Sequence, residues 1–461
     1  MIRALAAVLV GAIVALPASA GETPPAPGTP RDFALPGRET LQLDNGLSIT
    51  FIDYGRVPKV TLLAAVRTGT IDEGSDTWLA DLTAEMLKEG TSRRSAAELA
   101  RRAAEMGGGL FANAGDEQTT VGISVLSEHA ADAAALIAEV LREPQLPESE
   151  LPRILGSFQR RLSVAKSDPG SLADEALAQL AWGDHPFGRS FPTEAQLAAY
   201  TVDDVRRFHA ANFGARRTHV YVAGRYDRPA LEAALKQAFS GWAAGPEPTS
   251  NPPVLRRGPA LRFVDRPGAP QSVIRLALPA PDPSAADWMP FSLMNTLLGG
   301  AFSSRITTNI REDKGYAYSP GSSVFAYRRA AAWVQEADVT TADTAAALRE
   351  IMGEVRRLAA EAPGADELVR IQNYRAGLFV VQNSSPTGVL GQLAFLDLHG
   401  LPAEYLTRWV ANVFAVTPAD ITAMAARWLD LSQFNLVVVG DLAKIESELR
   451  ALPELADAGP R

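Results

Sequence analysis

The amino-acid sequence predicts an α+β fold made of two homologous halves, each a mostly antiparallel sheet with helices packed on one face. Residues Thr201 to Gly224 align without a gap on Thr417 to Gly440, which indicates an internal duplication. Within each half, strand-like segments come first, amphipathic helices follow and a strand closes the unit, an order that favours helices layered on a sheet. A linker rich in proline and glycine, at 246–259, separates the halves.

Hydrophobic periodicity gives the elements of the first half in order. The predicted strands are 41–53, 60–68 and 119–126, and the predicted helices are 78–88, 96–105, 130–141, 148–165, 171–181 and 202–211. The duplicated segments both begin a helix with a Thr-x-x-Asp capping pattern, at Thr201 and at Thr417. Pro418 takes the first helical position of the second copy, where a missing N–H costs nothing. Both copies then close with an apolar strand that ends at glycine, at 219–223 and 435–439.

The composition is that of a folded, acidic protein without cysteine. Of the 461 residues, 47% are hydrophobic and 21% are charged, a balance that supports packed cores. The 44 basic and 53 acidic residues give a net charge of -9, which argues against nucleic acid as a partner. Without cysteine, the chain has no disulfides, thiol nucleophiles or thiolate metal sites.

The first twenty residues have the pattern of a secretory signal peptide. Arg3 precedes an apolar run from Ala4 to Leu16, and small residues lead to a cleavage site after Ala20. The run is shorter than the ~20 residues that span a bilayer, and a retained membrane anchor is the alternative. We expect an exported protein, periplasmic in a Gram-negative source, without stable membrane insertion after cleavage. The predicted divisions are a signal peptide at 1–20, a Pro-rich tether at 21–38, domains at 39–245 and 260–450 joined by the linker, and a tail at 451–461.

Several short strings of the sequence form a pattern known from one enzyme family. They are Leu43-Asp44-Asn45-Gly46-Leu47, Met86-Leu87-Lys88-Glu89-Gly90-Thr91, Asp184-His185-Pro186-Phe187-Gly188-Arg189, and Ser304-Arg305 followed by Arg311-Glu312-Asp313-Lys314-Gly315-Tyr316-Ala317-Tyr318-Ser319. Over nearly the whole mature chain, the pattern resembles the insulinase/pitrilysin family of zinc metallopeptidases. The resemblance implies that the two halves together form half of a clam-shell chamber.

The family's zinc site is altered in this chain. In the family, His-x-x-Glu-His on the first helix supplies two ligands on one helix face and a general base, and a Glu further along the chain is the third ligand. The matching positions hold Asp81 and Glu85 for the two histidines, Ala84 for the base and Arg161 for the third ligand. The resemblance therefore implies a chain that binds no zinc and is not a peptidase by itself. This is the non-catalytic subunit type, similar to the alpha subunit of mitochondrial processing peptidase.

The altered positions leave three interpretations open. Arg161 pairs with Asp81, Glu85 or both, and so replaces the metal in holding two helices together, or all three side chains are simply solvated. A hard cation such as Ca²⁺ or Mg²⁺ on the two carboxylates is the third, although such ions take six or more oxygens and no rigid oxygen cluster is visible. None of the five histidines has helical ligand spacing with another.

The second half keeps residues that the family applies to its substrate. The resemblance implies that Arg305 is a fixed cation toward a substrate carbonyl or carboxylate, and that Tyr318 donates its hydroxyl to the developing oxyanion. The alternative is that Arg305 caps a turn and Tyr318 packs; the choice of Tyr318 over Tyr316 also stays open. In two-chain members, a homologous subunit with an intact His-x-x-Glu-His motif carries the zinc. We therefore expect that partner, in a heterodimer, and a peptide or unfolded polypeptide as substrate.

These observations lead to one preferred function and two alternatives. The preferred function is the non-catalytic subunit of an exported heterodimeric zinc metalloendopeptidase. The alternatives are a structural scaffold of the same fold without proteolytic role, and a protein that captures peptides in the chamber. Two glycine segments are secondary candidates for substrate contact: Leu298-Gly299-Gly300-Ala301 as a glycine-rich loop or a hinge, and Gly107-Gly108-Gly109 beside a sheet edge that accepts a peptide strand or is only structural.

Overall fold

The computed structural model describes residues 33–34, 37–456 and 458–460, so the predicted signal peptide and most of the tether lie outside the described residues. The strands are β1 (Arg38–Gln42), β2 (Ser48–Asp53), β3 (Lys59–Val66), β4 (Phe111–Ala114), β5 (Thr119–Leu126), β6 (Thr218–Gly224), β7 (Ala260–Asp265), β8 (Gln271–Pro279), β9 (Gly321–Tyr327), β10 (Ala330–Thr340), β11 (Asn435–Gly440) and β12 (Gly459–Pro460). The helices are α1 (Leu79–Met86), α2 (Ala96–Glu105), α3 (Ala130–Arg142), α4 (Leu151–Ser167), α5 (Pro169–Trp182), α6 (Glu194–Ala199), α7 (Val202–Asn212), α8 (Arg228–Phe239), α9 (Trp288–Asn295), α10 (Arg305–Thr307), α11 (Thr344–Ala360), α12 (Ala365–Gln382), α13 (Pro386–His399), α14 (Glu404–Thr407), α15 (Trp409–Ala415), α16 (Pro418–Trp428) and α17 (Leu442–Arg450).

Five strands lie in the same order in both sheets, which confirms the internal duplication, whereas the edge strands β1 and β12 come from opposite ends of the chain. The first sheet runs β1-β2-β6-β3-β5-β4 and the second runs β12-β7-β11-β8-β10-β9. In both, the closing strand of the half lies in the middle, parallel to one neighbour and antiparallel to the other. Apart from the short β12, the remaining pairs are antiparallel, as predicted.

The duplicated capping patterns form as the sequence predicts. At the start of α7, the Asp204 carboxylate accepts a hydrogen bond from the Thr201 N–H at 2.7 Å, and the Thr201 hydroxyl accepts one from the Asp204 N–H at 3.3 Å. At the start of α16, Thr417 and Asp420 repeat the same reciprocal pair at 2.8 and 3.3 Å. Each pair satisfies backbone donors that a helix N-terminus would otherwise leave free.

One predicted strand is wrong, because a turn divides it. The stretch predicted as a single strand at 41–53 forms β1 and β2, which pair as an antiparallel hairpin. Gly46 adopts a φ of 91°, a left-handed conformation that favours glycine. The Asn45 side chain donates hydrogen bonds to the carbonyls of Phe239 and Trp242, at 2.8 and 3.0 Å, and so fixes the turn against the end of α8.

Each sheet is covered on one face by helices of its own half and on the other face by a helix from the opposite half. Helix α5 packs on β8 and β11 of the second sheet, where its Ala173 and Leu177 share a core with Val273 and Val437. In return, α13 packs on β3 and β6 of the first sheet. This exchange extends the predicted arrangement of helices on one face, and it joins the halves through two apolar interfaces.

Charged contacts accompany both exchanged helices. On α5, the Asp174 carboxylate pairs with Arg275 of β8 at 2.8 Å. On α13, the Asp397 carboxylate pairs with His219 Nδ1 of β6 at 2.8 Å and accepts a hydrogen bond from the Tyr221 hydroxyl. The linker at 246–259 contains no helix or strand and runs between α8 and β7. The described residues therefore pack as one compact unit.

A helix that crosses a membrane must be both long and apolar. No single helix in the described part of the chain is long and apolar enough to cross a bilayer. Trp409–Ala415 and Pro418–Gln433 pass the same criteria only when taken together, and they meet at an angle of 89°.

Candidate functional site

Three of the four altered zinc positions, Asp81, Ala84 and Glu85, lie on α1 in the first half. Ala84 is 2% exposed and packs inside the domain, so no side chain there reaches into solvent as a general base. Asp81 points to the neighbouring α4, whereas Glu85 pairs at 2.8 Å with Lys88 in the turn after α1. The two carboxylates therefore have different partners and do not converge on one point.

Arg161 of α4 occupies the side of α1 where the third ligand is expected. Its Nη1 lies 3.5 Å from Asp81 Oδ1. The guanidinium carbon also lies 3.8 Å from the ring centroid of Trp78 and 4.9 Å from that of Phe158, both cation–π distances. The predicted ion pair is thus confirmed for Asp81, and Glu85 takes Lys88 instead.

This donor set does not fit zinc. A zinc site needs three or four nitrogen, sulfur or oxygen ligands at about 2 Å around one point. Here Asp81 is the one carboxylate at the centre, and a permanent cation, Arg161, lies against it. Among the described residues, no group of three or more His, Asp and Glu side chains is arranged to hold a metal ion.

Further carboxylates lie around this point, and one of them, Glu73, is buried. Glu73 is 7% exposed, and its two oxygens accept hydrogen bonds from the backbone N–H groups of Trp78, at 3.2 Å, and Ala80, at 2.7 Å. Burial nevertheless raises the pKa of Glu73 to about 8, with the neighbouring Asp81 adding to the rise. Burial also raises the pKa values of Asp81 and Asp116, in Asp81 against the opposing effect of Arg161.

A cavity of about 370 Å³ opens beside Asp81, between the two halves. Its wall combines carboxylates with aromatic side chains. The first half contributes Glu73, Trp78, Asp81, Asp116, Asp174, Trp182 and Phe187, and the second half contributes Phe325, Tyr327 and Glu336. Of the altered zinc positions, Asp81 therefore faces a space that both halves build, of a size and mixed polarity suited to a bound side chain or peptide segment.

Arg305 does not face this cavity in the described structure; it is held by Glu367 of α12. Its Nε and Nη2 donate to the two carboxylate oxygens of Glu367, both at 2.8 Å, in a bidentate pair. Hydrogen bonding from Arg305 lowers the pKa of Glu367 and keeps it ionised. Contact between Arg305 and a substrate therefore requires the pair with Glu367 to open.

Tyr318 is 79% exposed, whereas Tyr316 is partly buried against the core of the second half. The guanidinium carbon of Arg311 lies 5.1 Å from the Tyr318 ring centroid and 4.3 Å from that of Phe302, which is 72% exposed. The cation beside Tyr318 is thus Arg311, which is partly buried and pairs with Glu312 at 3.1 Å. Sequence reasoning passed over Arg311 although it belongs to the same string. Its spacing of seven residues from Tyr318 was the available signal.

The two glycine segments lie in different settings. The first forms a helical turn, and the second lies beside a sheet edge. Thr296–Gly300 is a π-helical turn, which fits the alternative of a hinge or tight turn rather than that of a glycine-rich loop. A Cβ at Gly299 would lie 2.5 Å from Ser322 Oγ, and this close approach explains the glycine. The segment after Gly109 forms β4, which lies at the edge of the first sheet and leaves one side free for a further strand.

Two models of one family match the two halves in order. Residues 55–193 match the model described as insulinase (peptidase family M16), and residues 199–374 match the model described as peptidase M16 inactive domain. The chain belongs to the insulinase family. Asp81, Ala84, Glu85 and Arg161, which the resemblance assigns to the zinc site, lie within the first of these matched ranges.

Bacterial relatives align with most of the chain. An uncharacterized zinc protease of Streptomyces coelicolor is 24% identical over 428 residues, which cover 90% of each chain. An uncharacterized zinc protease of Mycobacterium leprae is 29% identical over 290 residues, 61% of this chain and 64% of the relative. At sequence identities of 24% and 29%, both relatives are distant from this chain within the family.

Solved structures share the fold at low sequence identity. A peptidase M16 inactive domain from Pseudomonas fluorescens superimposes with a TM-score of 0.82 at 22% identity, covering 87% of this chain and 98% of that one. A protease from Helicobacter pylori gives 0.80 at 17%, covering 88% and 100%. The periplasmic protease PqqL from Escherichia coli gives 0.76 at 14%, covering 88% of this chain but 46% of that one.

Proposed function

We propose that this chain is the non-catalytic subunit of an exported heterodimeric zinc metalloendopeptidase. It contributes substrate binding and transition-state stabilisation to a homologous partner, which carries the zinc and an intact His-x-x-Glu-His motif. One observation carries the proposal: Arg161 closes the altered zinc site against Asp81, while Tyr318 in the second half stays exposed with a cation beside it. One half has lost the chemistry of the family and the other keeps groups suited to a substrate.

Tyr318 is the hydroxyl donor in this proposal, directed to the oxyanion that forms when a peptide bond is attacked. A preorganised donor of this kind contributes ~3 kcal/mol to the transition state. Arg311 is the cation for a substrate carbonyl in this proposal because it lies beside Tyr318, and its partner Glu312 is exposed. Arg305, by contrast, is held by both carboxylate oxygens of Glu367. Arg305 then holds α12 against the segment that carries Tyr318.

The proposed export and the proposed partner subunit are supported by the sequence and by one structural relative. The N-terminal pattern ending at Ala20 is that of a secretory signal peptide. PqqL is named a periplasmic protease, and this chain covers 46% of it, so that longer protein has room for a second unit of similar size. Both facts support a partner unit in the same compartment.

The first test is to identify the partner. The mature chain, tagged at the C-terminus, is recovered from its native extract under gentle conditions, and near-stoichiometric companions are identified by mass spectrometry. A companion of similar size with His-x-x-Glu-His is expected. Recovery as a lone chain or as a homodimer would contradict the heterodimer.

The second test measures the contribution of Tyr318 in the reconstituted complex. Tyr318→Phe removes the hydroxyl and should lower kcat about a hundredfold with little change in KM, because the donor acts in the transition state. Tyr374→Phe, at another exposed tyrosine, is the matched control and should leave kcat unchanged. Equal activity of the two variants would remove Tyr318 from the proposed machinery.

The cavity between the halves favours peptide capture as a second candidate function. Its carboxylates attract cationic side chains and its aromatic side chains pack against apolar ones. A capturing protein would bind extended basic peptides as a purified single chain. Fluorescence anisotropy with a labelled basic peptide and an acidic peptide of equal length tests this, and equal or absent binding would argue against capture.

A further inference from the structure

A second cavity, of about 310 Å³, lies among the helices of the second half, apart from the altered zinc site. It is lined by side chains from five helices. They are Trp288, Met289 and Ser292 of α9, Arg375, Phe379 and Gln382 of α12, Gly391, Gln392 and Phe395 of α13, Tyr405 of α14 and Trp409 of α15. Gln382 and Gly391 are exposed, so the cavity opens to solvent beside them.

Five of the eleven residues that line this cavity are aromatic. Phe379 and Trp409 stack with ring centroids 4.3 Å apart and an interplanar angle of 5°. Phe33, from the segment before β1, meets Phe379 edge-on at 5.1 Å and supports it from behind. Large flat side chains held in this way form a surface for an aromatic or branched apolar group.

One cation, Arg375, lies in the wall without a counter-charge. Its Nη2 donates to Ser292 Oγ at 2.9 Å, and its guanidinium carbon lies 5.6 Å from the Trp409 ring centroid. Its Nε is buried without an acceptor, and no carboxylate in the described part of the chain pairs with it. Burial lowers the pKa of Arg375, and tyrosine hydroxyls are the groups that oppose this fall.

A guanidinium that is removed from water without a counter-charge destabilises the fold unless it binds an anion. Guanidinium groups bind carboxylates through two parallel N–H donors, and they do so most strongly where water is excluded. We propose that this cavity binds an organic carboxylate with an aromatic or branched apolar body, the carboxylate on Arg375 and the body against Phe379, Phe395 and Trp409. A free acid and the C-terminal residue of a peptide share this chemistry.

The test measures binding to the isolated mature chain by isothermal titration calorimetry, so it does not depend on any partner. The probes are N-acetyl-phenylalanine and its amide, which differ in charge alone. The acid should bind with a Kd of about 1 mM or tighter, and the amide at least about tenfold more weakly. Equal affinity of acid and amide, or no binding of either, would overturn the proposal.

Two arginine substitutions on α12 test whether the ligand binds in this cavity. Arg375→Met should weaken the acid at least about tenfold, whereas Arg370→Met, at an exposed arginine of the same helix, should not. Arg375→Met should also leave the melting temperature unchanged or raise it, because it removes an uncompensated charge. Unchanged affinity of Arg375→Met would overturn the assignment.

A second variant fills the cavity and leaves Arg375 in place. Added atoms at Gly391 meet nothing within 4 Å, so Gly391→Leu enters open space and should abolish binding with the fold intact. Gly377→Leu, at an equally open glycine of α12, is the matched control. Retained binding in Gly391→Leu would contradict the proposed site.

Two further probes separate the sources of the ligand. A pentapeptide ending in phenylalanine is compared with the same peptide amidated at its C-terminus. Binding of the free-acid peptide as tightly as N-acetyl-phenylalanine supports a site for peptide C-termini. Binding of N-acetyl-phenylalanine alone supports a site for small free acids.

Discussion

At the scale of single residues, the altered site keeps a carboxyl group that burial holds in its neutral form. Glu73 is buried beside Asp81, and its pKa rises from an ordinary 4.5 to about 8. Between these values the folded chain keeps a proton that the unfolded chain has released. Stability contributed by this proton is therefore present below pH 4.5 and is lost as the pH rises toward 8.

We expect the melting temperature to fall between pH 5 and pH 8, and Glu73→Gln to reduce that fall by several degrees. One pKa unit corresponds to about 1.4 kcal/mol, so the loss in the wild type amounts to a few kcal/mol. Differential scanning calorimetry at each pH measures it. The control is Glu148→Gln, at an exposed carboxylate, which should keep the wild-type slope. A Glu73→Gln profile parallel to that of the wild type would contradict the burial argument.

Residue roles were harder to predict than residue positions. The sequence located Asp81, Ala84, Glu85 and Arg161, because spacing along the chain is enough for that. It named Arg305 for the substrate and passed over Arg311, because only the fold brings Glu367 to Arg305 and Arg311 beside Tyr318. The missing counter-charge of Arg375 is a property of five packed helices and has no local signature.

At the scale of elements, Arg161 fastens α4 to α1 by an ion pair and a stacked ring. Arg161→Ala should lower the free energy of unfolding by about 1 kcal/mol, because half-exposed ion pairs and cation–π contacts each contribute less than that. Arg161→Glu should cost more, since it places a second carboxylate beside Asp81, and it should still recruit no zinc. Urea denaturation measures both, with Arg160→Ala, one residue away on the exposed side, as control. A wild-type midpoint for Arg161→Ala would show that the pair is only solvated.

Elements with local signals were predicted well. Helix α2 and strand β5 have the predicted bounds, because α2 starts at the Ser95 capping box and β5 alternates buried and exposed positions over part of its length. The turn at Asn45 and Gly46 was missed as a strand break, although its residues are typical of hairpins. The sequences of α5 and α13 contain no local signal that distinguishes them from the other amphipathic helices, because the strands they pack against belong to the opposite half.

At the scale of the whole molecule, the exchange of α5 and α13 makes each half depend on the other. Both helices are packed against sheets of the opposite half. Asp174 adds an ion pair with Arg275, and Asp397 adds contacts with His219 and the Tyr221 hydroxyl. The covalent linker at 246–259 is then one of several connections. Two halves joined in this way should unfold as a single cooperative unit.

Cutting the linker tests this dependence directly. A recognition sequence for a site-specific protease is inserted between the exposed residues Ser250 and Asn251, and the purified protein is cleaved. We expect the two fragments to elute together from a size-exclusion column at the volume of the uncut variant, and to separate only in urea. Independent halves held by the linker alone would instead elute apart under native conditions, because an ordinary interface between tethered domains loses its high effective concentration once the tether is cut. Co-elution would mean that the chamber wall is one rigid body, in which the altered zinc site and the Tyr318 segment keep a fixed separation, as a subunit that completes a partner's active site requires.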